Sequence, residues 1–306
     1  MDIEKKGPIA EARELVEAYV RPEYVSLTEP SSGTIALFTA HANGVKPVPA
    51  EAFDPFRKAP LARRGTAQFL TIESLIEHAN RFKDEGSVLF ANNDRAFPSI
   101  ISVLDYHPAG ADSPPRFGRH RGAFPFPLSD EWKAWLGKNA TPMPMAEFAE
   151  FLEDRIIDVL HLIAGEDELS EDLSKFIAAG GGEALIATPQ RLVELSRGLQ
   201  VNENSAVREV IKLASGETQM LFQSEHTDAN GEPLRVPSLF LIAIPVFANG
   251  PLYRLAARLR YRKTPGGIVF WYDLWRHDRT FDHAFDESCE RAKVETELPL
   301  LFGTPE

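Results

Sequence analysis

Residues Val236–Arg276 read VPSLFLIAIPVFANGPLYRLAARLRYRKTPGGIVFWYDLWR. Three apolar, β-rich runs are cut by two turn signals, Asn249-Gly250 and Pro265-Gly266-Gly267. Asn-Gly between such runs is the strongest short-range hairpin signal, so the stretch predicts consecutive antiparallel strands. Side chains alternate faces along a strand, and the turn sets the register. If Asn249-Gly250 is a two-residue turn, Phe240, Ile242 and Ile244 share a face with Leu255, Ala257 and Leu259. That face is a core. The other face then carries Leu239, Leu241, Arg258, Arg260 and Arg262. If residues 264–267 form the next loop, Val269, Trp271, Asp273 and Trp275 join it, with Arg258 opposite Asp273 and Arg260 opposite Trp271.

Upstream, Val207–Leu213 and Gln219–Glu225 flank Ser215-Gly216, and Asn230-Gly231 marks another turn. Together these runs predict a five-strand antiparallel meander. Downstream, a helix over about 279–295 carries Phe281, Phe285, Cys289 and Val294 and is placed to cover the core face.

Further towards the N-terminus the pattern mixes helices and hairpins. A helix is expected over 8–20. Thr34–Ala42 and Val45–Val48 flank Asn43-Gly44. A helix capped by Thr71 presents Ile72, Leu75, Ile76, Ala79 and Phe82 as one apolar stripe. Ser87–Ala91 and Phe97–Tyr106 form a second hairpin. Residues 107–128 hold five prolines and read as extended or looped. Helices follow from Ser129, after Pro144 as far as Leu160, over 167–178 as a short charged helix, and from Thr188-Pro189. Gly180-Gly181-Gly182 reads as a hinge. Short links favour antiparallel pairing, so the class is α+β. The expected organisation is an α+β domain over 1–180, a hinge and helix over 181–203, and a sheet domain with a C-terminal helix over 204–306.

Composition bounds function. The chain has 306 residues, 43% hydrophobic and 25% charged, with a net charge of −12. This is a globular mix. It excludes a fully disordered chain and a fibre, and it argues against a generally basic nucleic-acid coat. One cysteine, Cys289, excludes an intrachain disulfide framework and a Cys-rich zinc site. Its place on an apolar helix face reads as an inert buried thiol. Met1–Lys6 is not followed by the apolar run of a signal peptide, and Leu239–Phe247 is too short to span a bilayer. The expectation is a cytoplasmic protein that binds no membrane.

The Trp/Arg/Leu sheet face is neither an ordinary core nor an ordinary solvent face. Three occupants fit it. The N-terminal domain could cover it, with the arginines paired to carboxylates. A protein could dock there, since Trp and Arg anchor interfaces. Single-stranded nucleic acid could stack bases on the tryptophans and set phosphates on the arginines. A second basic cluster, Arg116-Phe117-Gly118-Arg119-His120-Arg121, could hold phosphate or carboxylate, though pairing with nearby acids is the plainer reading. Carboxylates at helical spacing, Glu150/Asp154/Asp158 with His161 and Asp278/Asp282/Asp286 with His277 and His283, read as solvated helix faces rather than a metal site. No G-x-S-x-G elbow, Walker A loop, G-x-G-x-x-G or H-E-x-x-H is present. No catalytic residue, metal or cofactor is therefore expected.

Several segments carry a resemblance. They are SLIEHANRFKDEGSVLFANND (Ser74–Asp94), VLDYH (Val103–His107), PRFGRHRGAFPFPLSDEWKAWL (Pro115–Leu136), MAEFAEFLEDRIIDV (Met145–Val159) and FWYDLWRHDRTFDHAFDE (Phe270–Glu287). Together they resemble the YfdQ-like family, an uncharacterised family of phages and prophages. The resemblance covers most of the chain from about residue 70. It implies a phage or prophage origin, often near recombination or replication genes, and no activity or site residue. The expected function is a non-enzymatic accessory protein that self-associates through the mixed sheet face. The alternative is a single-stranded nucleic-acid binding module.

Overall fold

The computed structural model describes residues 7–21, 23–28, 34–41, 44–161, 171–179, 186–198, 209–212, 218–221, 237–265 and 267–305. The chain divides into two compact units, Met1–Arg64 and Gly65–Glu306. The expected boundaries at 180 and 203 both fall within the second of these units. Both sides of those positions feed one core, because apolar residues from Leu75 to Leu298 pack into a single cluster. The expected hinge at 180–182 and the turn at 230–231 lie outside the described residues.

The first unit holds α1 (Pro8–Val20), β1 (Glu23–Thr28), β2 (Ile35–His41), β3 (Gly44–Val48) and a 3-10 turn at Ala50–Phe56. The β2–β3 hairpin forms as expected, and β1 adds an antiparallel strand to it. Gly44 enters β3 at φ 112°, a conformation that favours glycine.

The second unit starts with β4 (Gly65–Gln68), α2 (Ile72–Phe82), β5 (Val88–Asn92), β6 (Ser99–Val103) and β7 (His120–Pro125). The Thr71 hydroxyl accepts from the Ser74 N–H and caps α2, as its sequence position predicted. Leu75, Ile76 and Ala79 are buried on its inner face. Within the proline-rich stretch, β7 is an extended segment that pairs antiparallel with β6.

Next come α3 (Asp130–Gly137), β8 (Met143–Pro144), α4 (Met145–Asp154) and a 3-10 turn at Ile156–Asp158. α4 stops six residues short of the expected Leu160. Val159 instead bridges the sheet at Ile242, which an α-helical backbone could not do. Then follow α5 (Glu171–Ala179), α6 (Pro189–Gly198), β9 (Glu209–Lys212), β10 (Thr218–Leu221), β11 (Leu239–Pro245), β12 (Leu252–Thr264), β13 (Gly267–Leu274), α7 (His277–Thr296) and β14 (Leu300–Phe302).

The strands of the second unit form three sheets. One has the order β14-β5-β6-β7-β4, with parallel pairs at both edges (β14–β5 and β4–β7). These are the long-range returns that short-link reasoning misses. A second has the order β11-β12-β13-β8. The expected five-strand meander is therefore three strands long, closed at one edge by β8. β9 and β10 pair with each other as a separate hairpin. The class is α+β, as expected.

α7 supplies Phe281, Phe285 and Cys289 to the core and packs on α2. Val294 points out, against expectation. The core is rich in rings. Trp135 is fully buried; its indole N–H donates to Asp158 at 2.7 Å, and its carbonyl accepts from the Tyr272 hydroxyl at 2.6 Å. Burial pushes the Asp158 carboxyl above its ordinary range and the Tyr272 hydroxyl well above its own. Among the described residues, no helix is long and apolar enough to cross a membrane.

Candidate functional site

The hairpins of β11, β12 and β13 set the site. Phe240, Ile242 and Ile244 pair with Ala257, Leu255 and Tyr253, and the inner face joins the main core. Arg258 lies opposite Asp273, and Arg260 opposite Trp271. The β12–β13 register is the one its turn predicted; the β11–β12 register is offset by two residues from that of a two-residue Asn249-Gly250 turn, which leaves every residue on its expected face.

The other face has two ends with different surroundings. At the first, Leu239, Leu241 and Ala256 are buried beneath α5, which brings Leu173, Phe176 and Ile177 down onto them. Phe176 stacks on Trp275 at 4.4 Å and 21°. The Arg276 guanidinium lies over the Trp275 ring at 4.6 Å, and the Arg258 guanidinium over Phe176 at 4.7 Å. Arg276 also donates to Asp172 at 2.9 Å. Trp275 and Arg258 are therefore spent largely on holding the covering helix.

At the second end lie Arg260, Arg262, Val269, Trp271 and Asp273. The Arg260 Nε–H donates to Asp273, a diagonal pair one step from the direct register partner. The Asp273 carboxylate thus goes to Arg260, and Arg258 goes to an aromatic face. Arg262 is exposed and Trp271 half-buried. Among the described residues, no ring-stacking or cation–π pair involves the Trp271 indole. This end presents two guanidinium groups, one carboxylate and one half-buried aromatic ring.

The cluster at 116–121 sits on the other large sheet. The structure does not bring it together with Arg258–Arg262. Arg116 donates twice to Asp84, at 2.8 and 2.6 Å, and its backbone N–H donates to His107 Nδ1. The Asp105 carboxylate accepts the backbone N–H groups of Arg119 (3.0 Å) and His120 (2.7 Å). Arg121 donates to the Gly118 carbonyl, and Arg119 lies over Phe117 at 4.8 Å. These contacts close a long loop onto the sheet. Bonds from Arg116 and the Gly86 and Ser87 side of the loop outweigh burial and hold Asp84 below the usual carboxylate range.

The carboxylate sets do not converge. Glu150 and Asp154 are on α4, Asp158 is past its end, and His161 lies beyond that. Asp282 is taken by Arg95 in a bidentate pair, at 2.8 to 3.2 Å. Among the described residues no group of three His, Cys, Asp or Glu side chains could hold a metal ion. Burial, then the Asp286 charge, pushes the Cys289 thiol up to about 12. Its thiolate is suppressed at neutral pH.

Two features escaped the sequence. Arg254, Arg276, Arg279 and His283 line an open groove of about 1020 Å³ with Tyr253 and Trp275, facing Glu171 and Asp172 of α5. The helix-start spacing Trp275-Arg276-x-x-Arg279 was the available signal. The other is His78 on α2, wedged among Phe69, Phe82 and His120, with Nδ1 buried and unpartnered. Burial first, then the charges of His120 and Arg81, lowers its pKa below the ordinary imidazole value. Gly122 makes the room, since a Cβ there would come within 3.0 Å of that nitrogen.

The chain belongs to the family described as an uncharacterized conserved protein, DUF2303, whose model matches residues 46–305. No curated protein and no solved structure matches it.

Proposed function

We propose that this chain is a non-enzymatic accessory protein of phage or prophage origin, acting in the cytoplasm, that binds single-stranded nucleic acid on the open end of the β12–β13 face. The observation that carries the reading is the juxtaposition of Trp271 with Arg260 across one strand pair, flanked by Arg258 and Arg262. An aromatic ring with one free face accepts any base, and guanidinium groups at strand spacing follow a phosphate backbone. The net charge of −12 opposes long-range attraction, so the contact depends on this local patch. The phage setting rests on the resemblance of the Pro115–Leu136 and Phe270–Glu287 segments to YfdQ-like proteins.

The test is a titration of labelled single-stranded oligonucleotide at low salt. Binding weakens steeply as salt rises, and Arg260→Ala reduces the magnitude of the salt slope by about 0.7. Trp271→Ala weakens it further through lost stacking. Absence of any bound oligonucleotide at low salt removes the reading.

A second reading is self-association through the same face. The acidic surface elsewhere on the chain favours it only as a head-to-tail contact. A two-fold contact would set Arg258, Arg260 and Arg262 against their own copies, with Asp273 as the one balancing charge on each side. Charge reversal at Arg262 separates the readings: it abolishes oligonucleotide binding in the first and lowers native mass in the second.

A further inference from the structure

The described residues of the first unit form no buried core. Among its described residues no apolar side chain is buried. Its sheet nevertheless has a strongly apolar face. Strand pairing sets Val25 beside Phe38 and Pro47, Leu27 beside Ala36, and Glu23 beside Ala40 and Val45. Seven of these eight positions are apolar. Leu27 is 56% exposed and Val45 66%. The apolar stripe of α1 is open as well, with Leu15 72% exposed. A three-stranded sheet needs its apolar face covered to be stable in water.

We propose that the cover is a second copy of this chain, packed sheet face to sheet face about a two-fold axis, with α1 at the rim. Charge supports this occupant. Glu23 is the one charged residue on the face, at its edge, so an isologous contact confronts no like charges at its centre. A basic or acidic partner would find nothing to pair with there. Area supports it too. Strand spacing and rise give the sheet face roughly 14 by 20 Å. The α1 stripe adds roughly 20 by 10 Å. That is about 500 Å² per copy in flat projection, and side-chain relief raises it towards the about 800 Å² per partner of a standard interface. β1 and β2 precede the residues matched by the family model, and Pro47 of β3 lies within them. The inference stands apart from nucleic-acid binding, since the two surfaces share no residue.

The experiment is sedimentation equilibrium of the full chain across the micromolar range. The wild type is expected as a reversible dimer. Leu27→Asp buries a charge in the contact and should raise the dissociation constant about a hundredfold. Trp271→Ala should leave it unchanged. All four tryptophans lie in residues 65–306, so an unaltered near-ultraviolet dichroism spectrum shows that the second unit of the Leu27→Asp chain remains folded. Val25→Cys gives an independent readout: a two-fold face contact yields an oxidised dimer, and the buried Cys289 cannot substitute for it. A wild-type monomer throughout the range, or a Leu27→Asp chain that dimerises as well as the wild type, overturns the proposal. Loss of dimer on Trp271→Ala would place the contact on the other face and overturn it equally.

Discussion

The two ends of one sheet face meet different fates although the strands are continuous. At one end Leu239, Leu241 and Ala256 are core, roofed by α5. At the other, Arg260, Arg262 and Trp271 face outward. Parity along the strands is the same at both ends. The difference lies in what packs above, and arginine bridges the two by changing partner. Arg258 lies over Phe176 of the roof, while Arg260 pairs with Asp273 in the sheet itself. One face thus serves stability at one end and, in the function proposed above, recognition at the other.

The sharpest way to break that comparison is to truncate the covered end. Leu241→Ala removes a fully buried side chain between sheet and helix. It should cost about 2–5 kcal/mol of stability, read as a shift in urea midpoint. Oligonucleotide affinity of the folded fraction should not change. The same truncation at the open end should do the reverse. Trp271→Ala should cost less than about 1 kcal/mol in the urea midpoint but about 1–3 kcal/mol of binding, roughly 5- to 150-fold in Kd. If both variants lose stability alike, the two ends are one core and the open end is no binding surface.

Much of this face was legible in the sequence. Asn249-Gly250 marks the turn between β11 and β12, and parity then names the residues on each side, although the register is offset by two residues from that of a two-residue turn. The roof was also within reach: Leu173, Phe176 and Ile177 recur at i, i+3 and i+4, a buried stripe inside a segment whose charges drew the eye. What sequence could not show was long-range pairing. β8 reaches β13 across more than a hundred residues, and β4 and β14 add parallel edges to a sheet whose local links are antiparallel. Local turn chemistry carries no information about such returns.

The segment Arg116–Arg121 extends the comparison to a second set of arginines. These are held by Asp84 and by the bonds that Asp105 accepts from the loop backbone, so they have a structural task. Arg116→Ala breaks a half-exposed ion pair and should cost no more than about 1 kcal/mol in the urea midpoint. It should leave oligonucleotide binding intact. A loss of binding would move the nucleic-acid surface to this sheet.

The smallest effect expected is one of pH, and it too belongs to this second sheet. His78 has its pKa lowered in the folded chain, first by burial and then by His120 and Arg81. In the unfolded chain it takes up a proton near its ordinary value of 6.5. Between the lowered folded value and 6.5, the unfolded state therefore binds more protons. Linkage then makes stability rise with pH across that window, so acidification below 6.5 should weaken the fold. The other groups that face His78, the rings of Phe69 and Phe82, carry no charge to offset this. His78→Phe keeps an aromatic ring at the site and removes both the titration and the unpartnered nitrogen. Urea midpoints measured through the window should slope for the wild type and flatten for this variant, while Trp271→Ala keeps the wild-type slope. A wild-type slope retained in His78→Phe would show that the pH dependence does not come from His78.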